Sequence, residues 1–174
     1  RDFYRLVREH LTESGLLMQW IHTTGAGAAM IDMTLNTLRQ EFPESRVFIA
    51  GADLLILASK RPVSCRDLAS AERTLASTEG VKASLADLRI FSLAGILVRE
   101  RWTPSFLADY VQGGGIQTLD FPRLHYLAGK DFFIGRDLDP SIFLDNRTTA
   151  YGNDYLFYKQ CAQWQVAPDT PEAF

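Results

Sequence analysis

Gln19 and His22 are the side chains in this sequence best suited to holding a small polar ligand. They close an apolar run, Gly15-Leu16-Leu17-Met18-Gln19-Trp20-Ile21-His22, which passes directly into Thr23-Thr24. An amide and a neutral imidazole can each bind an amine or its ammonium. Helical patterns flank the run on both sides, so it reads as a buried parallel strand of an α/β sheet. Ligands in such sheets bind beyond the carboxyl ends of the strands, where Gln19, His22, Thr23 and Thr24 would lie. The competing reading is that Gln19 and His22 satisfy neighbouring backbone groups. Trp20 alternates with them and is expected in the core.

Other residue types with chemical potential are weaker candidates. Gly25-x-Gly27 follows a strand and opens a helix, as a dinucleotide-binding turn does, but Met30 stands where a third glycine is needed. A flexible turn is the better reading. Gly113-Gly114-Gly115 reads as a helix-ending loop, with a lid hinge as the alternative. Asp120, His125 and Asp131 match no metal-ligand spacing and read as solvent-facing or hydrogen-bonded. The Tyr151, Tyr155, Tyr158 stripe reads as packing. No Ser-His-Asp or Cys-His arrangement can be argued. Cys65 and Cys161 stand 96 positions apart and are expected as reduced thiols, because an α/β domain of this size needs no staple.

The elements that must position these residues follow in order. Phe3, Leu6, Val7, His10 and Leu11 fall on one helical stripe. The strand Leu16–Ile21 follows, then a helix over 28–42 with stripe Ile31, Leu35, Leu38 and Phe42, stopped by Pro43. Arg46–Ala50 and Asp53–Ser59 are two β-rich runs separated by Gly51-Ala52. So short a link forces a hairpin, since a parallel crossover needs a dozen residues or more. One sheet is expected, with Asp53–Ser59 in the middle and antiparallel to both neighbours. Beyond Pro62, 65–76 and 84–97 read as helices, and Thr103-Pro104 starts another, with Thr as cap and Pro at the first position. The stretch 116–135 reads as irregular or extended, 137–146 as turn-rich, and 149–164 as a final helix.

Size and composition bound the class. The 174 residues are 47% hydrophobic and 22% charged, with net charge −3. That suits a globular domain with a small appendage. No basic block favours nucleic acid or an anionic membrane surface. No run of 18 apolar residues and no signal peptide is present. The chain starts at Arg1, within a helical pattern, and is expected to be part of a longer protein.

Specific residues carry a resemblance. Phe3-Tyr4-x-Leu-Val with Leu11 and Gly15, Met18-Gln19-Trp20-Ile21-His22, Thr37-Leu38-Arg39 with Phe42-Pro43, and Asp53-Leu-Leu-Ile-Leu-Ala-Ser59 with Pro62 together resemble the spermidine/spermine synthase family. The nearest likeness is to bacterial spermidine-synthase-like proteins, often fused to membrane helices. Thr118-Leu119-Asp120-Phe121-Pro122-Arg123-Leu124-His125-Tyr126 resembles a further family segment, with Leu119 and His125 replacing acidic residues. The resemblance implies the C-terminal half of a methyltransferase-like, Rossmann-like α/β domain over 1–62, and a mainly helical extension over 63–174. It makes the Gln-Trp-Ile-His run the fifth strand of a seven-stranded sheet.

The implied family activity is aminopropyl transfer from decarboxylated S-adenosylmethionine to a polyamine. Gln19 and His22 would form part of the acceptor wall. The donor-binding loops and the catalytic Asp would precede Arg1, so no catalytic, cofactor or metal residue is expected within this chain. Alternatives are a methyltransferase-like relative with another substrate, or a non-catalytic interaction module. The expected location is cytoplasmic, with a membrane-anchored parent compatible with the resemblance. A half-sheet leaves the edge of Leu16–Ile21 open, so a homodimer or a partner chain is expected to cover it.

Overall fold

The computed structural model describes residues 1–111, 115–139 and 161. They form an α/β structure whose sheet has the order β1-β3-β2-β4. The chain divides into two units, one of residues 1–62 and 101–151, the other of 63–100 and 152–174.

The first unit is built on a hairpin. β2 (Glu44–Ala50) and β3 (Asp53–Ser59) pair antiparallel in full register, Ala50 opposite Asp53 and Glu44 opposite Ser59. Gly51 turns the chain with φ of +65°, a conformation glycine adopts without steric cost, as a two-residue hairpin loop requires. β1 (Leu16–His22) pairs antiparallel with the other side of β3, Leu16 opposite Ser59 and His22 opposite Asp53. β3 is therefore central, and the expected order and directions of these three strands hold. A fourth short strand, β4 (Glu100–Trp102), lies beside β2. Three residues carry no readable period, so the sequence reading stopped at three strands.

One face of the sheet holds the core. α1 (Asp2–His10) and α2 (Ala28–Arg39) supply Tyr4, Ile31, Leu35 and Leu38, which pack with Phe42 against Ile21, Val47, Leu54, Ile56 and Ala58. The expected α2 stripe is correct in every member: Ile31, Leu35, Leu38 and Phe42 are wholly buried. Residues after 100 return to this core, through Trp102 and, on α6 (Pro104–Tyr110), Phe106 and Leu107. Residues 101–151 fall in the same unit as 1–62, and Trp102 and Phe106 pack into its core. Thr103 caps α6 as its sequence indicates, its Oγ1 accepting from the Phe106 amide at 3.2 Å.

Several expectations are corrected. Residues 123–133 form α7 (Arg123–Phe133), where an irregular or extended stretch was expected, and α7 packs on α2. Its one buried residue is a charged one, Asp131, so the apolar period that would have announced a helix is missing. In the second unit, the expected helix over 84–97 is two, α4 (Glu79–Asp87) and α5 (Leu93–Leu97), interrupted where Arg89 takes a positive φ of 56°. α3 (Cys65–Ser77) is close to its expected span and starts in a reciprocal Ser64–Asp67 capping box.

Cys65 and Cys161 are not reduced thiols. They form a disulfide with Cα atoms 5.5 Å apart. The size argument against a staple was made for the whole chain, but both cysteines belong to the smaller second unit. The expected final helix and its tyrosine stripe lie outside the described residues, apart from Cys161.

Candidate functional site

The carboxyl end of β1 brings Trp20, His22 and Asp53 together on one face of the sheet. Strand geometry sends alternate side chains to opposite faces. Leu17, Gln19 and Ile21 point toward α1 and the core. Leu16, Met18, Trp20 and His22 point to the other face, with Leu57, Leu55 and Asp53 opposite the last three.

Gln19 and His22, three positions apart, therefore lie on opposite faces. Gln19 sits against α1, where the Tyr4 hydroxyl approaches its Oε1 at 3.5 Å and its own Nε2 donates to the Trp20 carbonyl at 3.0 Å. Burial pushes the Tyr4 phenol up to about 12, so it stays a neutral donor. The bond to the Trp20 carbonyl is of the backbone-satisfying kind raised as the alternative from sequence.

His22 is placed differently. Its Nδ1 lies 2.7 Å from Asp53 Oδ1, and both side chains remain partly open to solvent. Asp53 is held below the ordinary carboxylate range, mainly by the His22 hydrogen bond, with a further hydrogen bond from Trp20. An ionised carboxylate only accepts, so Nδ1 must carry the proton it donates. In the neutral ring this leaves Nε2 with a free lone pair. Such an imidazole, oriented by a carboxylate, can accept a proton or bind an ammonium group.

Trp20 completes this cluster and corrects the expectation that it is core. It is 59% exposed, and its ring centroid lies 6.1 Å from that of His22. A Trp in an apolar strand is buried only if something covers its face, and no described element covers this one fully. β1 and β3 are accordingly buried on one face only, where both-sided burial was expected, and among the described residues β1 pairs only antiparallel, where a parallel strand was read.

The Gly25-x-Gly27 turn is occupied by the protein itself. The Gly25 amide donates to Asp137 Oδ1 at 2.8 Å, and the Gly27 amide to Asp131 Oδ2 at 3.0 Å. A Cβ at Gly27 would lie 2.6 Å from that same Oδ2. Asp131, buried and 3.6 Å from Arg136, places negative charge at the start of α2, where the helix dipole favours it. The donors that would cradle a phosphate are thus committed to carboxylates. Asp131 is hydrogen-bonded at a helix start, and Asp120 and His125 are exposed, which are the solvent-facing or hydrogen-bonded roles read for the three from sequence. Among the described residues no group of three or more metal-ligating side chains assembles. The Gly113–Gly115 loop lies outside the described residues except for Gly115, whose carbonyl accepts from Asn36 at 3.2 Å.

Sequence reasoning missed Asp53 as a site residue. No local signal announced it, because the Gly51-Ala52 turn fixes only the β2–β3 register, and Asp53 meets His22 through the pairing of β3 with β1. Among the described residues no helix is long and apolar enough to cross a membrane. Comparison with protein-family models, with curated proteins and with solved structures finds no match for this chain.

Proposed function

We propose that this chain is the acceptor-side part of a spermidine-synthase-like aminopropyltransferase domain. In the reaction a deprotonated amine attacks the aminopropyl carbon next to the sulfonium of decarboxylated S-adenosylmethionine. A C–N bond forms, the C–S bond breaks, methylthioadenosine leaves, and the amine gives up a proton. The observation that supports this reading is the His22–Asp53 pair at the carboxyl end of β1, in the Met-Gln-Trp-Ile-His run that carries the resemblance. A carboxylate-oriented imidazole is suited to hold an amine as its lone pair is exposed. Gln19 faces α1 and supports β1 from behind.

The donor cradle and catalytic Asp of the family have no counterpart among these residues, so the isolated chain is not expected to turn over. Holding both reactants in attack geometry contributes roughly 7–11 kcal/mol in good cases, and half a site cannot supply it. The test is an NMR titration of the chain with putrescine, following the His22 ring. Shifts that saturate and vanish in Asp53→Asn are expected. Unmoved His22 resonances would remove the acceptor role. Calorimetry with methylthioadenosine should show no binding, and micromolar affinity would reveal a donor site within these residues. A non-catalytic interaction module is the second reading, favoured by the open edge of β1.

A further inference from the structure

The carboxyl end of α7 is tied to the loop that follows His22. The tie begins with the way α7 stops. Gly135 takes φ of +61°, its amide donating to the Phe132 carbonyl at 3.2 Å, while the Arg136 amide donates to the Asp131 carbonyl at 2.9 Å. This is a Schellman ending, in which a glycine takes the left-handed conformation just after the last turn. It turns the chain back, and 136–138 then bond to the loop 23–27. Leu138, buried in the core cluster, anchors the far end of the segment.

Three backbone groups of the loop are satisfied by this one segment. The Leu138 amide donates to the Thr23 carbonyl at 3.1 Å. The Gly25 amide donates to Asp137 Oδ1 at 2.8 Å, and the Gly27 amide to Asp131 Oδ2 at 3.0 Å. Gly27 and Asp131 are both buried, and leaving a buried donor or a buried carboxylate unpaired is costly. Loop and segment therefore keep their relative position.

Thr23 stands between this clasp and the candidate site. It follows His22 directly, and its amide and Oγ1 both donate to the Ala52 carbonyl, at 2.9 and 2.7 Å. Ala52 in turn precedes Asp53. The residue beside the imidazole is thus bonded to the residue beside the carboxylate, and the clasp holds Thr23 from its other side. A hydrogen bond between two half-open side chains keeps its narrow range of distance only if both backbones are fixed.

We propose that Asp131 and Asp137 are positioning residues for the His22–Asp53 pair, acting through Gly27, Gly25 and Thr23. They touch neither member of the pair and lie more than a hundred positions from the loop they hold. The inference rests on that pair as the site proposed above and adds what regulates it: a displacement of the carboxyl end of α7 loosens the pair.

The carboxyl midpoint of Asp53, followed by NMR on the whole chain, reports on the pair with no amine present, because the His22 hydrogen bond is the main cause of its depression. Gly27→Ala breaks the clasp and leaves all four side chains in place. Its added Cβ would lie 2.6 Å from Asp131 Oδ2 and 2.7 Å from Arg136 Cδ, while φ of −73° admits alanine. The Asp53 midpoint should rise part of the way toward its position in His22→Ala, with the amides of β3 as protected from exchange as in the wild type. Asp137→Ala should move it in the same direction. Asp137→Asn, whose amide oxygen still accepts from Gly25, should keep it close to the wild-type value. A midpoint unmoved in both Gly27→Ala and Asp137→Ala would overturn the proposal. So would equal shifts in Asp137→Ala and Asp137→Asn, which assign the effect to charge, or a shift accompanied by lost protection in β3, which assigns it to general destabilisation. The expected shifts combined with His22 resonances that ignore putrescine would remove the amine reading and leave the clasp standing.

Discussion

The two units are stabilised by different means. In the first, Ile31, Leu35, Leu38, Phe42, Val47, Leu54 and Ile56 are wholly buried in one cluster between sheet and helices. In the second, the buried apolar residues among those described are Leu68, Leu93 and Leu97, and α4 buries none. The Cys65–Cys161 disulfide lies in that second unit. A unit that removes little apolar surface from water gains little from the hydrophobic effect, so a covalent closure contributes proportionately more. Unit size, and not chain length, is what decides whether a staple matters.

That contrast can be broken by experiment. Phe42→Ala should cost the first unit about 3–5 kcal/mol in urea unfolding, the usual range for a buried Phe. A cost below about 1 kcal/mol would show that the cluster is not its main support. Cys65→Ser should cost about 2–5 kcal/mol, as expected on opening a loop spanning 96 positions. Hydrogen exchange should place that loss in 63–100 and leave the amides of β3 protected. Uniform loss across both units would mean that they fold as one. Ser64→Ala removes the α3 capping box and should cost about 1 kcal/mol, seen first as faster exchange in the first turn of α3.

Two smaller effects sharpen the same contrast within the sheet. Trp20→Ala deletes a larger side chain than Phe42→Ala, yet it should change stability by less than about 1 kcal/mol, because its face is open. Asp53 supplies a pH dependence. Its pKa is lowered in the folded chain, so its stabilising contribution is fully present above the unfolded value of about 3.9 and is lost as pH falls through the folded value. Carboxyl NMR should show the Asp53 midpoint rising in His22→Ala, and rising less in Trp20→Phe, following the order of the two hydrogen bonds. An unchanged midpoint in His22→Ala would sever the pair.

Much of the first unit was legible because its signals are local. A two-residue link at Gly51-Ala52 permits only a hairpin, and the spacing of Ile31, Leu35, Leu38 and Phe42 permits only one buried helical face. Strand Asp53–Ser59 was legible to the residue. α7 was not, because its inward residue is Asp131, a carboxylate serving the start of α2, and no apolar stripe records that.

The candidate site divides the same way. The sequence by itself determined that an amide, an indole and an imidazole lie along one strand, and that the strand ends in polar residues. Only the tertiary structure decided which of them act together. Strand alternation separates Gln19 from His22 and unites Trp20 with His22, and the β1–β3 register brings Asp53, 31 positions away, to 2.7 Å from the imidazole. Residue type likewise determined that β1 is apolar on both faces, while burial depends on what lies opposite. α1 and α2 cover one face and no described element fully covers the other, so Ile21 is core and Trp20 is surface. Period and turn length are properties of neighbouring residues and can be read from them. Register and cover are properties of segments far apart in the chain, and only the folded arrangement fixes them.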